Sequence, residues 1–281
     1  MATLQNKIDF AVILSVRNAN PNGDPLNGNR PRENYDGLGE ISDVCIKRKI
    51  RNRLMDAGYP IFVQSEDRAV DGFRSLTDRL NGDEVLKKEK DKDVFAHRAC
   101  ENWIDVRAFG QVFAFKGASI ASVGVRGPVS VQSAYSVDIV DIESIQITKS
   151  VSGKTGEERG PDTMGMKHRV PFGLYVFYGS INCQLAERTG FTDADAEAIH
   201  ETLKTLFEND VSSARPEGSM EVVKVYWWRH DSKLGQYSSA KVHRSLAVVR
   251  KQGVAAPRSF ADYEVTLADL PGLTPQIDDG R

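Results

Sequence analysis

Residues 8–32 read IDFAVILSVRNANPNGDPLNGNRPR, an apolar strand followed directly by a turn-rich loop. Large apolar residues occupy every second position from Ile8 to Val16, which is the period of a strand with one buried face. Ala11 and Ile13 make the opposite face apolar as well. A strand that is apolar on both faces is typical of the interior of a sheet. The pattern therefore predicts an interior strand over residues 7–17.

The loop over residues 17–32 contains five Asn, three Pro and two Gly. Pro fixes φ, and Gly and Asn accept positive φ, so this composition predicts an ordered loop with a defined shape. The amide and guanidinium groups on its surface would suit contacts to phosphate and sugar. An ordinary connection between two elements fits the same composition, and the loop alone does not decide between these interpretations.

A basic helix is predicted directly after the loop. Ser42 is placed to cap a helix that runs to about Ala57, where Gly58 and Pro60 end it. A solvated face has the same pattern, but together with the loop this helix could border a track for an anion, with phosphate contacts that are independent of sequence. The expected buried stripe is Ile46, Ile50, Leu54 and Ala57, and the basic arc beside it is Lys47, Arg48 and Arg51.

The remaining pattern predicts an α+β fold in one domain over residues 1–281. Residues 61–102 are irregular, with a strongly charged and exposed excursion over 78–93, and residues 150–167 are polar and Gly-rich. A second helix starts at Thr192, where Asp195 completes a capping box. The resulting order βαββαβ is that of a ferredoxin-like or RRM palm with inserts. Strands are expected at 104–115, 123–142, 145–147, 172–185 and 220–228.

Composition excludes several other classes of protein. The chain has 281 residues, 40% hydrophobic content and a net charge of −2, with basic clusters at 41–60 and 224–251. No apolar run approaches 18 residues and the first residues have no apolar signal core, so we expect no membrane association and a cytoplasmic location. Three widely spaced cysteines predict reduced thiols rather than disulfides or a zinc site.

Motifs for catalysis or cofactor binding are absent or incomplete. Gly153-Lys154-Thr155 resembles the end of a phosphate loop, but Thr148 stands where the first glycine is needed. Residues 107–115, RAFGQVFAF, match an RRM signature in only half of its positions, so we expect Phe109 and Phe113 in the core. No metal or cofactor is expected.

Histidine and tryptophan side chains give weaker signals. His200 lies near the polar side of the second helix, which predicts a solvated side chain. His168 lies within Lys167-His168-Arg169, where a contact to phosphate or to a base and simple surface exposure remain open alternatives. Trp227 and Trp228 point to opposite faces of one strand, so we expect at least one of them in the core.

Four segments in this order resemble a known family, and the resemblance covers essentially the full length. They are NPNGDP at 20–25, IKRKIR at 46–51, DVRAFG at 105–110 and MGMKHRVPFGLY at 164–175. The family is the seventh Cas family of the RAMP superfamily, the backbone subunits of type I CRISPR Cascade surveillance complexes. The resemblance is strongest to the type I-C form.

The resemblance implies an RRM-like palm with a finger-like insert at 58–102 and a thumb-like β-hairpin at 145–170. Several copies would stack along the spacer of a CRISPR RNA, with each thumb displacing one nucleotide of the guide. The expected partners are the CRISPR RNA, the target DNA paired to it, further copies of the chain and other Cascade subunits. A guide holder must accept any sequence, so it contacts the backbone and leaves base edges free.

The resemblance also implies roles for individual residues. Lys47 and Arg51 match positions that hold guide phosphates, and Ser42 matches a polar contact. Met164 and Met166 lie near the base of the thumb, where an apolar side chain can wedge beside a displaced nucleotide. With the loop and the thumb base, the expected RNA-binding residues are Asn18, Asn20, Asn22, Ser42, Lys47, Arg48, Arg51, Lys149, Met164, Met166, Lys167, His168 and Arg169.

Two other functions remain open at this stage. Related RAMP proteins cleave RNA, and Asp24 or Asp36 is a conceivable catalytic carboxylate, although neither lies in a recognisable motif. Asp24 also fits the role of a turn residue before Pro25. A metabolic enzyme with a ferredoxin-like core is the third hypothesis, and the missing cofactor and nucleophile motifs count against it.

Overall fold

The computed structural model describes residues 2–115, 122–148 and 164–281, which form a mixed α+β fold with a large antiparallel sheet. The strands are β1 (Ile8–Ala19), β2 (Gly23–Asp24), β3 (Arg30–Glu33), β4 (Leu38–Ile41), β5 (Gly110–Phe113), β6 (Val123–Arg126), β7 (Val129–Val131), β8 (Ala134–Ile139), β9 (Glu143–Thr148), β10 (Met164–Ile181), β11 (Met220–Arg229), β12 (Leu246–Arg250), β13 (Tyr263–Leu267) and β14 (Gln276–Asp279). The helices are α1 (Asp43–Asp56), α2 (Leu76–Asn81), α3 (Lys92–Asn102), α4 (Ile104–Phe109), α5 (Cys183–Thr189), α6 (Asp193–Lys204) and α7 (Ser239–Ser245).

Strand β1 is an interior strand, as its two apolar faces predict. It pairs antiparallel with β10 on one side and with β11 on the other. The strand order across the sheet is β14-β11-β1-β10-β8-β4-β3-β2, and β7 and β9 pair with other parts of β10. The loop that follows β1 therefore starts from an interior strand of the sheet.

Both faces of the central strands are covered. Phe10 and Val12 face a cluster that includes residues of α1 and α6, whereas Ala11 and Ile13 face a cluster that includes residues of α7, β12 and β13. Trp227 belongs to the first cluster and Trp228 to the second, and both are buried. The prediction that they point to opposite faces is confirmed. Helix α6 begins with the expected capping box of Thr192 and Asp195.

Residues 58–102 have a hydrophobic core of their own, which the sequence pattern did not indicate. Aromatic and aliphatic side chains there pack with α4 and β5 in a third cluster. The prediction of a wholly exposed segment at 78–93 is wrong for Leu80 and Leu86, which are buried. The buried members of the cluster are Phe62, Leu80, Leu86, Phe95, Ala99, Cys100, Trp103, Val106, Phe113 and Val123.

Residues 104–109 form a helix, so the prediction of a continuous strand over 104–115 is wrong. Ile104 and Ala108 pack into the α1 cluster, whereas Val106 packs into the third cluster. In this helix, IDVRAF, apolar residues alternate with Asp105 and Arg107, and such alternation is the period of a strand. Gly110 ends the helix with a φ of 79°, and a Cβ there would lie 2.3 Å from the carbonyl oxygen of Val125.

Three smaller predictions need correction. Strand β10 ends at Ile181, because Asn182 caps helix α5 where the strand was expected to continue to residue 185. Ala57 is exposed and does not join the buried stripe. His200 is buried rather than solvated, because its ring stacks on Trp227 and its Nε2 lies 3.0 Å from a carboxylate oxygen of Asp278.

None of the described helices is both long and apolar enough to cross a bilayer.

Candidate nucleic-acid interface

The turn-rich loop and helix α1 are joined by side-chain hydrogen bonds. Ser42 is the N-cap of α1, as predicted, and its Oγ accepts from the backbone N–H of Cys45. Asn22 Oδ1 accepts from the backbone N–H of Ser42 at 2.9 Å and from its hydroxyl at 2.8 Å. The loop therefore holds a fixed position beside the positive end of the helix dipole, where anions are stabilised.

The loop is an ordered structure, as its composition predicts. Asn20 is buried and its Nδ2 donates to the carbonyl of Asn29 at 2.7 Å. Asn18 is exposed and has a positive φ of 52°. The Asp24 carboxylate accepts from the backbone N–H of Leu26 at 3.2 Å, which is the role of a turn residue. Of the three predicted loop asparagines, Asn18 is therefore the one whose side chain is exposed to solvent.

The basic arc of α1 is divided among different partners. Lys47 Nζ lies 3.0 Å from the carboxylate of Asp43 in a partly exposed pair. Arg51 Nε donates to the fully buried Asp105 at 2.9 Å. Arg48 Nη1 donates to a backbone carbonyl, that of Val63, at 2.6 Å. Burial lowers the pKa of Arg48, and the nearby charge of Arg51 lowers it further.

A cleft of about 650 Å³ lies beside Arg48, between α1 and two other segments. Residues 65–68 form one wall, and residues 209–215, which follow α6, form another. Arg68 and Arg215 line the cleft, and no local sequence pattern marks them, because each is an isolated basic residue in an irregular segment. We call this space the Arg48 cleft; its charged lining consists of Arg48, Lys49, Asp67, Arg68, Asp210 and Arg215.

The base of the β9–β10 hairpin also meets the loop. Arg30 Nη1 donates to Ser144 Oγ at 2.7 Å, and the same oxygen lies 2.9 Å from His168 Nδ1. A second pocket, of about 400 Å³, opens between loop and hairpin, and half of the Met166 side chain is exposed beside it. The lining of this pocket is Asn20, Gly28, Asn29, Ile147, Met166, Lys167, His168, Ser213 and Ala214.

The other predicted residues of the hairpin are placed only in part. Arg169 Nε donates to Glu143 across the two strands at 2.8 Å. Lys149 lies outside the described residues, as does the side chain of Met164, whose backbone pairs with Thr148. The structure thus brings Asn20, Asn22, Ser42, Arg48, Lys167 and His168 to the pockets and contacts around one loop.

The geometry defines an α+β protein whose central loop is flanked by a basic helix on one side and a hairpin on the other. A family model described as "CRISPR-associated protein Cas7" matches residues 6–268 of the chain. The chain belongs to this family, and the resemblance of its sequence motifs to the family is confirmed.

One curated relative and chains of two solved structures are similar to this chain. The "CRISPR-associated protein Cas7" of Haloferax volcanii is 28% identical over 230 residues, which cover 76% of this chain and 67% of that protein. A chain of the structure "CRISPR RNA-guided surveillance complex, pre-nicking" has 18% identity and a TM-score of 0.51, with 89% of this chain and 84% of that chain covered. A chain of another "CRISPR RNA-guided surveillance complex" has 17% identity and a TM-score of 0.47, with coverages of 89% and 78%. At 18% identity, the first of these structures shows the fold alone.

Proposed function

We propose that this chain is a non-catalytic subunit that binds CRISPR RNA and forms the backbone of a type I surveillance complex. The single observation that carries this proposal is the match of the Cas7 family model to residues 6–268. The structural likeness to a chain of an RNA-guided surveillance complex supports it. Its partners are the guide RNA, target DNA paired to that guide, further copies of the chain and other subunits, in the cytoplasm. The closer assignment to the type I-C form remains a prediction from the sequence motifs.

The central part of the sheet serves as an RRM-like palm in this proposal. The neighbouring antiparallel strands β11, β1, β10 and β8 support this role, because a ferredoxin-like unit has four such strands, and α1 and α6 contribute to the same core cluster. Residues 58–102 serve as the finger-like insert, which contains a separate hydrophobic core. Residues 145–170 serve as the thumb, of which the paired ends, β9 and the start of β10, are described.

The RNA path follows the edge of the palm rather than the surface of the sheet. Both faces of β1 are buried, so bases cannot stack on this strand. The exposed polar groups lie instead along the loop, α1 and the hairpin base. Contacts from such groups to sugar and phosphate are independent of sequence, as a guide holder requires. Met166, which is half exposed, is placed to contact a displaced nucleotide.

Size-exclusion chromatography of the purified chain with a matching CRISPR RNA tests the proposal. We expect assemblies whose mass grows with spacer length, because each added stretch of guide accommodates another copy. Double-stranded DNA of equal length is the control and should give no such series. If the chain stays unassembled with every RNA at low ionic strength, the proposal is wrong.

The absence of catalysis is tested separately, in the same preparations. Asp24 is engaged in a turn contact, and Asp36 is exposed in the neighbouring segment. We expect bound guide and target RNA to remain intact with divalent cations present. Cleavage that disappears in Asp36→Asn or Asp24→Asn would instead identify an endoribonuclease.

A further inference from the structure

Helix α7 and strands β12 and β13, residues 239–267, form a layer on one face of the central strands, which we call the C-terminal layer. Ala11 and Ile13 of β1 and Trp228 of β11 pack in one cluster with apolar residues of this layer. Among the described residues, β12 and β13 pair with each other and not with a strand of the large sheet. The attachment of the layer to the sheet therefore depends on side-chain packing and side-chain hydrogen bonds.

A buried carboxylate lies where this layer meets the sheet. Asp9 of β1 has no exposed surface, and its Oδ2 lies 2.8 Å from His230 Nε2 and 3.0 Å from Lys7 Nζ. Lys7 also donates to the backbone carbonyl of Tyr237 at 3.1 Å. Gly235 has a φ of 81°, and a Cβ there would lie 2.8 Å from His230 Nδ1. The segment between β11 and α7 is thus closely packed around this carboxylate.

A second histidine, His243 of α7, joins the layer to the same place. Its Nε2 donates to the backbone carbonyl of Gly179 at 3.1 Å and lies 3.7 Å from Asp9 Oδ1. Its ring stacks on that of Tyr178, with the ring centres 4.9 Å apart. A carbonyl oxygen only accepts, so Nε2 carries a proton and any further proton must enter at Nδ1.

We call Lys7, Asp9, His230 and His243 the Asp9 cluster. Lys7 supplies one positive charge for the single carboxylate of this cluster, so a proton on His243 adds a buried charge without a counter-ion of its own. Burial lowers the pKa of His243 from its ordinary value of 6.5, although the charge of Asp9 acts in the opposite direction.

The carboxylate of the cluster is held in its ionised form. Burial acts to raise the pKa of Asp9, but hydrogen bonds, of which that from His230 is the largest, lower it below its ordinary value of 3.8. The attached layer therefore favours an ionised Asp9 together with a neutral His243.

We propose that the Asp9 cluster is an acid-sensitive attachment of the C-terminal layer, which opens from the sheet at mildly acidic pH while the α1 face stays folded. In the opened form His243 lies in water and takes up a proton more readily than in the attached form. The attachment is therefore complete above about pH 6.5 and weakens as the pH falls below that value. The contribution of Asp9 is lost only at lower pH, below 3.8. This inference goes beyond the proposed function and does not depend on it.

Hydrogen exchange followed by mass spectrometry, from about pH 7.5 to about pH 5, tests the attachment after correction for the intrinsic pH dependence of exchange. We expect the opening constant of the C-terminal layer to rise by up to about tenfold for each pH unit below 6.5, because opening takes up one proton. Peptides from α1 should not follow, because this helix packs in the cluster on the other face. If they follow equally, or if the layer shows no rise, the proposal is wrong.

His243→Gln keeps an N–H donor for the Gly179 carbonyl but cannot be protonated in this pH range. We expect its opening constant to stay flat where that of the wild type rises. His97→Gln, which changes an exposed histidine on α3, is the matched control and should respond as the wild type does. A response of wild-type size in His243→Gln would overturn the assignment to this histidine.

Asp9→Asn removes the charge of the carboxylate at neutral pH. We expect faster exchange in the C-terminal layer at about pH 7.5, with α1 still protected, because the cations of the cluster lose their counter-ion. Wild-type protection of the layer in Asp9→Asn would contradict the proposal. If either variant fails to fold, the wild-type series decides, since the difference between the layer and α1 is measured in one molecule.

Discussion

Arg48 and Arg51 lie one helical turn apart on α1 but in different electrostatic settings. Arg51 donates to the fully buried Asp105, and its guanidinium lies 5.0 Å from the ring centre of Phe109. Arg48 donates to a carbonyl and faces a cleft of about 650 Å³. Removing the buried carboxylate of an ion pair is strongly destabilising, whereas an arginine that is bonded only to a carbonyl remains available to an external anion. Helical position alone does not reveal this difference.

The largest expected effect concerns the buried contact between Arg51 and Asp105. The carboxylate of Asp105 accepts from Arg51 and from the backbone N–H groups of Phe62 and Val63, at 2.9, 2.7 and 3.0 Å. Asp105→Ala leaves a buried cation and two amides without their acceptor. We expect a loss of about 3–5 kcal/mol in the free energy of unfolding, measured by urea denaturation.

Asp43→Ala is the matched control for that substitution, because it removes the carboxylate of the partly exposed pair with Lys47. Its expected cost is about 1 kcal/mol or less. Asp105→Asn should fall between the two, since it keeps an acceptor without the charge. If Asp105→Ala cost no more than Asp43→Ala, the structural role assigned to the contact between Arg51 and Asp105 would be wrong.

Local sequence patterns predicted the elements that depend on contacts between residues close together in the chain. The alternation in β1, the Ser42 cap and the capping box at Thr192 each involve residues within a few positions of one another. The structure confirms all three. These features were predictable because strand period and helix capping depend on short stretches of chain.

Features that depend on distant partners were not predictable in the same way. His200 was expected in solvent, but its partner Asp278 lies far along the chain at the edge of the sheet. Asp105, the partner of Arg51, lies in a segment that was expected to be a strand. The Arg48 cleft needs Arg68 and Arg215, from two irregular segments, so only the tertiary structure brings its cations together.

A smaller effect is expected where the loop is attached to the helix. Asn22→Ala removes the acceptor for the backbone N–H and the hydroxyl of Ser42. We expect a loss of about 1–2 kcal/mol in the free energy of unfolding, because an N-cap and a partly buried amide lose their support. The affinity for RNA should fall as well, because the proposed RNA path runs along this loop.

Asn27→Ala in the same loop is the control, because its side chain is exposed. It should change neither stability nor affinity. A loss of RNA affinity in Asn22→Ala without any loss of stability would indicate that Asn22 contacts RNA directly rather than positioning the loop.

The smallest effect on stability is expected for Lys47, and it separates stability from binding. Its pair with Asp43 is partly exposed and spans one helical turn, so Lys47→Gln should cost about 0.5 kcal/mol or less. The same substitution should weaken RNA binding for all sequences. It should also reduce the slope of log K against log salt by the amount that one phosphate contact contributes.

The double variant Lys47→Glu with Arg51→Glu should weaken RNA retention further. However, Arg51→Glu also places a second carboxylate beside the buried Asp105 and destabilises the fold. Lys47→Gln is therefore the cleaner probe, and unchanged binding at every salt concentration would remove Lys47 from the RNA path.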